Sequence, residues 1–175
     1  MKIKEFAKVT CNRIYLDILK KEHNYDLFLL RSNEDVVKYV DKLKDKTEKE
    51  SLLFLNKINK GVFDKKWFYW GIYLKTKNKL IGTVCLWQFN KNRTEAEIGF
   101  ELHPNFQGKG YMSEAINSIL NFAFNHLKLN KVIGYTHSKN KRSIQLLKKY
   151  HFKLTNTNKE NDIYTLTKSQ FNTIP

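Results

Sequence analysis

The chain has 175 residues, 41% of them hydrophobic, including 12 Phe, 9 Tyr and 3 Trp. That size and apolar share suit one compact domain with its own core, and they exclude a disordered chain. The formal net charge is +15, from 32 Lys and Arg against 17 Asp and Glu. The basic residues are mostly Lys spread over the whole length, which reads as a solvated surface and not as a nucleic-acid-binding arm; nucleic acid is therefore not the expected partner, although the charge favours a polyanionic, nucleotide-bearing ligand.

No apolar run approaches the roughly 20 residues of a membrane span, and the opening MKIKEFAKVT is too polar for an export signal, so no membrane partner is expected. Cys11 and Cys85 lie far apart without metal-type spacing, which reads as two reduced, buried thiols in a cytoplasmic protein that needs no metal.

Residues 12–19 alternate apolar and polar at Ile14, Leu16 and Ile18 and predict a first strand. Ser32 with Asp35 three residues on predicts a helix start, with Val36, Val37 and Val40 on its apolar side. Thr47 and Glu50 form a capping box before Leu52, Leu53, Leu55 and Ile58, and Gly61 suits the end of that helix. WFYWGIYLK, LIGTVCLWQF and RTEAEIGFEL then read as three strands joined by the polar turns TKNK and NKNR, an antiparallel meander. The aromatic WFYW reads as core, with the lining of an acceptor pocket as its other reading.

A helix follows from about 110 to 128, striped by Met112, Ile116, Ile119, Leu120, Ala123 and Leu127. KVIGYTH is a further strand, KRSIQLLKKY a helix, and two last strands fall near 153–157 and 162–167. The predicted order is β-α-α-β-β-β-α-β-α-β-β: a single α/β domain over 1–175 with a mixed, mostly antiparallel sheet flanked by helices.

QGKGYMSE at 107–114 sits between a strand and the long helix. A helix N-terminus carries unpaired N–H groups and partial positive charge, and glycines let the backbone approach an anion closely. The amides of Gln107, Gly108, Lys109, Gly110, Tyr111 and Met112 can therefore cradle a phosphate. The competing reading is a helix start that only needs flexibility, because G-x-G alone is a weak pattern and neither a Walker loop nor G-x-G-x-x-G is present.

Three longer segments carry a resemblance. Q-x-x-G-x-G/A between a strand and a helix, here Gln107, Gly110 and Met112 in place of the last small residue, resembles the acetyl-CoA signature of the GNAT N-acetyltransferase superfamily. HPNFQGKGYMSEA and AEIGFELHP resemble its ribosomal-protein-alanine (Rim-type) branch, and NKRSIQLLKKYHF at 140–152 is similar to that branch's N-x-x-S…G-F helix. Arg13 in NRIYL resembles the branch's opening T-x-R-L-x-L segment. The match runs over nearly the whole chain, with an acetyl-CoA-binding core at about 80–155.

The resemblance implies direct transfer of acetyl from acetyl-CoA to a primary amine, with a protein N-terminus or a small amine as acceptor and a homodimer as one assembly open to the chain. It places the pantetheine arm along the backbone of Phe100, Glu101 and Leu102, whose N–H groups can polarise the thioester carbonyl. It makes Asn140 both a helix cap and a pantetheine ligand, and gives Ser143 contact with the CoA sulfur or a proton relay. The tyrosine that many members use as general acid is replaced by Leu147, and Tyr150 lies three residues on. His151 stands where the family's G-F carries glycine, so a left-handed backbone is expected there.

The residues themselves suggest the base. Glu95, Glu97 and Glu101 have even spacing and share a face of a regular strand, with Gly99 leaving room; clustering would lift one pKa toward the working pH. Glu97 is the first choice and Glu101 the second, against ordinary surface glutamates. Lys141 and Arg142 read as solvated charges or CoA-phosphate contacts, and His137 as a structural strand end. The other class of reading keeps the fold without catalysis: an acetyl-CoA-binding or basic nucleic-acid-binding module.

Overall fold

The computed structural model describes residues 8–40 and 44–173; the polar start of the chain and the last two residues of the 1–175 span lie outside them. The chain forms two compact units, Met1–Cys85 with Phe100–Ile116, and Leu86–Gly99 with Asn117–Pro175. The elements make an α/β fold with a mixed, mostly antiparallel sheet flanked by helices.

In the first unit, β1 (Val9–Thr10) and β2 (Ile14–Asp17) pair antiparallel, and β2 pairs antiparallel with β3 (Phe68–Leu74). The strand β4 (Lys79–Trp87) lies next to β3 across a connection too short for a parallel crossover. The end of β5 (Glu95–Leu102) follows it in the sheet order. Gly82 permits that approach: a Cβ there would stand 2.3 Å from the Glu101 carbonyl oxygen. The first strand departs from its predicted alternation, since Tyr15 is buried beside Ile14 and Leu16 while Ile18 is 40% exposed. Tyr15 goes inward because it stacks on Tyr73 at 5.0 Å.

Helices α1 (Asn24–Arg31), α2 (Glu34–Val37) and α3 (Glu48–Phe63) complete this unit. Asn33, and not Ser32, caps α2: its Oδ1 accepts from Asp35 and Val36, while Ser32 closes α1. Thr47 caps α3 through the Glu50 N–H at 3.3 Å as predicted, but the Glu50 carboxylate takes the Lys46 N–H at 2.6 Å instead of completing the box. Gly61 is inside the last turn of α3 and not beyond it; the Trp67 ring lies where its Cβ would be, 1.9 Å away. Tyr15, Leu19, Leu27, Leu55, Ile58, Tyr73 and Leu80 form the core here. Within it Arg31 and Asp45 make a buried ion pair at 2.6 and 2.8 Å, backed by the Ser51 hydroxyl at 2.6 Å and by the Phe54 ring 3.5 Å from the guanidinium.

In the second unit, β5 pairs in parallel with β6 (Lys131–His137) over Glu95–Glu97 against Lys131–Ile133. The strand β8 (Asn161–Thr167) pairs antiparallel with β6 on one side and with the fully exposed β7 (Lys153–Asn158) on the other. The helix α4 (Tyr111–Asn121) runs from the first unit into this one and is shorter than predicted. Its last residues, Phe122–His126, widen into a π turn that buries the adjacent Ala123 and Phe124 together and leaves Leu127 half-buried. Helix α5 (Lys141–Lys149) and the short α6 (Lys168–Phe171) follow, and Phe171 stacks on Phe124 at 4.8 Å. Beyond the predicted order, the fold adds the two-residue β1, a separate α1 of eight residues and the four-residue α6.

Candidate active site

The glycine loop is shaped by local hydrogen bonds. His103 starts a tight turn: its ring Nδ1 accepts from the Asn105 N–H at 3.3 Å, and its carbonyl from the Phe106 N–H at 2.9 Å. The Gln107 side-chain amide donates back to the Leu102 carbonyl at 2.8 Å, tying the loop to the end of β5, and its backbone N–H donates to the Pro104 carbonyl at 3.1 Å, so the turn takes the N–H that the sequence offers to an anion. Gly108 and Gly110 both take positive φ, +73° and +82°, as a loop that turns its amides toward an anion requires. No atom lies within 4 Å of a Cβ at Gly108. The Gly110 carbonyl accepts the Glu114 N–H at 3.1 Å, so Gly110 opens α4 and the first-turn amides, including those of Tyr111 and Met112, have no intrahelical acceptor. Met112 itself is buried, whereas Lys109 is exposed and its ammonium donates to the Asn105 carbonyl at 2.8 Å. This cradle, open where a side chain would fill it, fits a pyrophosphate.

Arg13 reaches the same loop. Its backbone N–H and its Nε–H both donate to the Glu114 carboxylate, at 3.0 and 2.5 Å, and its guanidinium carbon lies 4.5 Å from the Tyr111 ring centre. One terminal nitrogen lies 3.0 Å from the place of a Gly110 Cβ. Arg13 and Glu114 are 101 residues apart, so no spacing in the sequence announces the pair.

The strand β5 keeps its alternation. Ala96, Ile98 and Leu102 are buried, and Glu95, Glu97, Gly99 and Glu101 are partly accessible, as is Phe100. The three glutamates nevertheless have different surroundings. Glu95 forms an ion pair with Lys131 at 3.0 Å. Burial pushes the half-buried Glu97 carboxyl up to about 7, and the hydrogen bond from the Trp87 indole works weakly against that rise. The cause is desolvation and not the clustering of carboxylates that the strand's spacing suggests. Trp87 escapes a sequence reading as a partner; the signal is the hairpin that Asn90 closes by accepting from Thr94 and Glu95 at 2.8 and 3.2 Å.

Glu101 belongs to the first unit. There its charge, second to burial, raises the phenol of Tyr69 well above its ordinary range. Tyr69 is the half-buried residue of β3, between buried Phe68 and Trp70, and it donates to the Thr83 hydroxyl at 3.1 Å. Of the aromatic segment, Phe68 and Trp70 are core and Trp67 and Tyr69 are half-buried, the Trp67 indole donating to the Ile58 carbonyl at 3.0 Å.

At the start of α5, Asn140 accepts the Ser143 N–H at 3.2 Å, which is the predicted cap. Ser143 is half-buried, Lys141 and Arg142 are exposed. Leu147, at the family's tyrosine position, is 2% exposed and packs on Gly134, where a Cβ would meet its side chain at 2.8 Å. That place is therefore apolar core, without a hydroxyl to give a proton. Tyr150 caps the end of α5 and lies beside Lys149. The His137 Nδ1 accepts the Lys139 N–H at 3.1 Å, and His151 takes the expected left-handed backbone at φ +61°. Cys11 and Cys85 are not joined in a disulfide; Cys85 is buried, whereas Cys11 is only half-buried.

Comparison with known proteins gives the family. Residues 13–153 match the model of the acetyltransferase (GNAT) domain. An uncharacterized N-acetyltransferase of Bacillus subtilis, YnaD, is 33% identical over 118 residues, 67% of this chain and 66% of that protein. Among solved structures, the ribosomal-protein-S5-alanine acetyltransferase of Vibrio fischeri superposes with a TM-score of 0.79 at 17% identity, covering 94% of this chain and 98% of that one. The spermidine N-acetyltransferase of Vibrio cholerae, solved in complex with CoA and spermine, gives 0.76 at 20% identity, covering 91% and 98%. The chain belongs to the GNAT acetyltransferase family, whose members move acetyl from acetyl-CoA to an amine.

Proposed function

We propose that residues 1–175 act as one cytoplasmic N-acetyltransferase domain with Glu97 as its general base. The observation that carries the assignment of the base is the Glu97 carboxyl, half-buried on β5 and held near pKa 7. At that value it can take a proton from an ammonium and give it up again at neutral pH. The acceptor is a primary amine, either a protein N-terminus of the ribosomal type or a small amine; relatives of this fold are named for both classes.

Acetyl-CoA supplies the thioester. The loop Gln107–Met112, with Gln107 anchoring it and the N–H groups of Gly108 to Met112 facing the ligand, would hold its pyrophosphate, and the backbone N–H groups of Phe100, Glu101 and Leu102, with Asn140, would hold its pantetheine arm. In support, the parallel β5–β6 ladder reaches only the Glu97–Ile133 pair among the described residues, although β6 runs on to His137. Glu97 takes the ammonium proton, directly or through water. The freed amine forms a C–N bond at the carbonyl carbon, the C–S bond breaks, and the proton that the nitrogen sheds on becoming an amide reaches the CoA thiolate through the Ser143 hydroxyl. Glu101 serves to hold the cationic acceptor beside the Tyr69 phenol. A homodimer would not alter these roles.

Thiol release from acetyl-CoA, followed over a panel of N-terminal peptides, polyamines and other small amines, tests the reading. On the best acceptor, Glu97→Gln should lower kcat by about 10²- to 10⁴-fold, the usual worth of a general base. The kcat/KM of the parent should rise with pH through about 7 as Glu97 loses its proton. Unchanged turnover in Glu97→Gln sinks the base assignment, and no thiol release with any amine sinks the enzyme.

A further inference from the structure

We propose that Arg13 is a phosphate ligand of the CoA site, its guanidinium aimed at the glycine loop by Glu114; the proposal rests on the acetyl-CoA reading above. The Glu114 carboxylate receives the Arg13 backbone N–H at 3.0 Å and its Nε–H at 2.5 Å. Both bonds are made at the inner side of the arginine, which leaves the fork of terminal nitrogens for something else. The Tyr111 ring, 4.5 Å from the guanidinium carbon, steadies that fork. One terminal nitrogen comes within 3.0 Å of where a Cβ on Gly110 would stand, beside the residue whose carbonyl opens α4. A side chain at Gly110 would thus crowd the guanidinium as well as strain a backbone at φ +82°.

A planar, permanently charged fork next to the first-turn amides of α4, which have no intrahelical acceptor, matches the geometry of phosphate recognition. Glu114 sharpens the inference. It lies in the first turn of α4, where an uncompensated carboxylate would repel a bound phosphate. Arg13 neutralises it and adds donors of its own, so removing Arg13 subtracts a cation and exposes an anion. A pair that merely ties β2 to α4 would lose the same from either side. Arg13 as a phosphate ligand predicts unequal losses.

Isothermal titration of the whole chain with CoA, dephospho-CoA and pantetheine separates these cases. Arg13→Gln should weaken CoA and dephospho-CoA alike, by about 10- to 100-fold, as the loss of a charge-assisted contact to pyrophosphate requires, and should leave pantetheine unaffected. A loss seen with CoA but not with dephospho-CoA would move the contact to the ribose phosphate and overturn the pyrophosphate assignment. Glu114→Gln should lose far less than Arg13→Gln, and adding it to Arg13→Gln should recover part of the affinity. Arg13→Lys, which keeps the charge and loses the fork, should fall between and decides the matter if Arg13→Gln does not fold. Equal losses in Arg13→Gln and Glu114→Gln, or CoA binding within twofold of the parent, overturn the proposal. A parent that binds no CoA overturns the acetyl-CoA reading with it.

Discussion

Glu97 gives up its proton near pH 7 in the folded chain, whereas a glutamate in an unfolded chain does so near about pH 4.3. Below the lower value both states hold the proton and folding carries no penalty. As pH rises between the two, the folded state keeps a proton that the unfolded state has lost, so stability falls; above about 7 the whole cost is present. Glutamine stays neutral throughout. Glu97→Gln should therefore be more stable than the parent at pH 8, by about 1–2 kcal/mol after allowing for the solvent that still reaches the carboxyl, and less so at pH 5. Urea unfolding at the two pH values checks this, and an equal gain at both would mean that the carboxyl is not desolvated. The strand pattern made Glu97 a candidate, because alternation is a local property. It did not reveal why the pKa rises, since the burial around Glu97 comes from packing, nor that the Trp87 indole opposes the rise from across a hairpin.

Among the elements, α1 and α3 show how local signals succeed and fail. Thr47 was legible as the cap of α3 because a side-chain oxygen and the N–H three residues on are set by the helix itself. Ser32 and Asn33 were both chemically able to cap α2, and the end of α1 decided between them by using Ser32. The staple at the end of α1 had no sequence signal: Arg31 and Asp45 are buried together, at 8% and 6% exposure, with Ser51 completing the carboxylate. Asp45→Asn leaves the Arg31 charge buried without its counter-ion and should cost about 3–5 kcal/mol in chemical denaturation. The double replacement Arg31→Met, Asp45→Leu removes both charges and should recover most of that loss. A single replacement costing less than about 1 kcal/mol would show the pair to be solvated.

For the whole molecule, the net charge of +15 and the GNAT fold make different predictions about what stabilises the chain. A ligand that binds only the folded state at about 100 times its Kd adds about 2.7 kcal/mol, worth roughly 5–10 °C in Tm for a domain of this size. Acetyl-CoA should give that shift in a concentration-dependent way. Single-stranded RNA, which offers charge without pantetheine, should not. A shift with RNA alone would favour the basic binding module over the enzyme.

The sequence by itself determined the α/β class, the strands and helices long enough to be periodic, the loop with its two glycines, and the Asn140 cap. Each of these depends on neighbours within a few residues, where backbone sterics and hydrogen-bond reach leave few alternatives. Only the tertiary structure decided that Tyr15 turns inward, that Leu147 is core against Gly134, that Glu97 is held near neutrality, and that Arg13 meets Glu114 at the mouth of the loop. Those facts depend on desolvation and on contacts between residues distant in the chain, and neither has a spacing that a linear sequence can display.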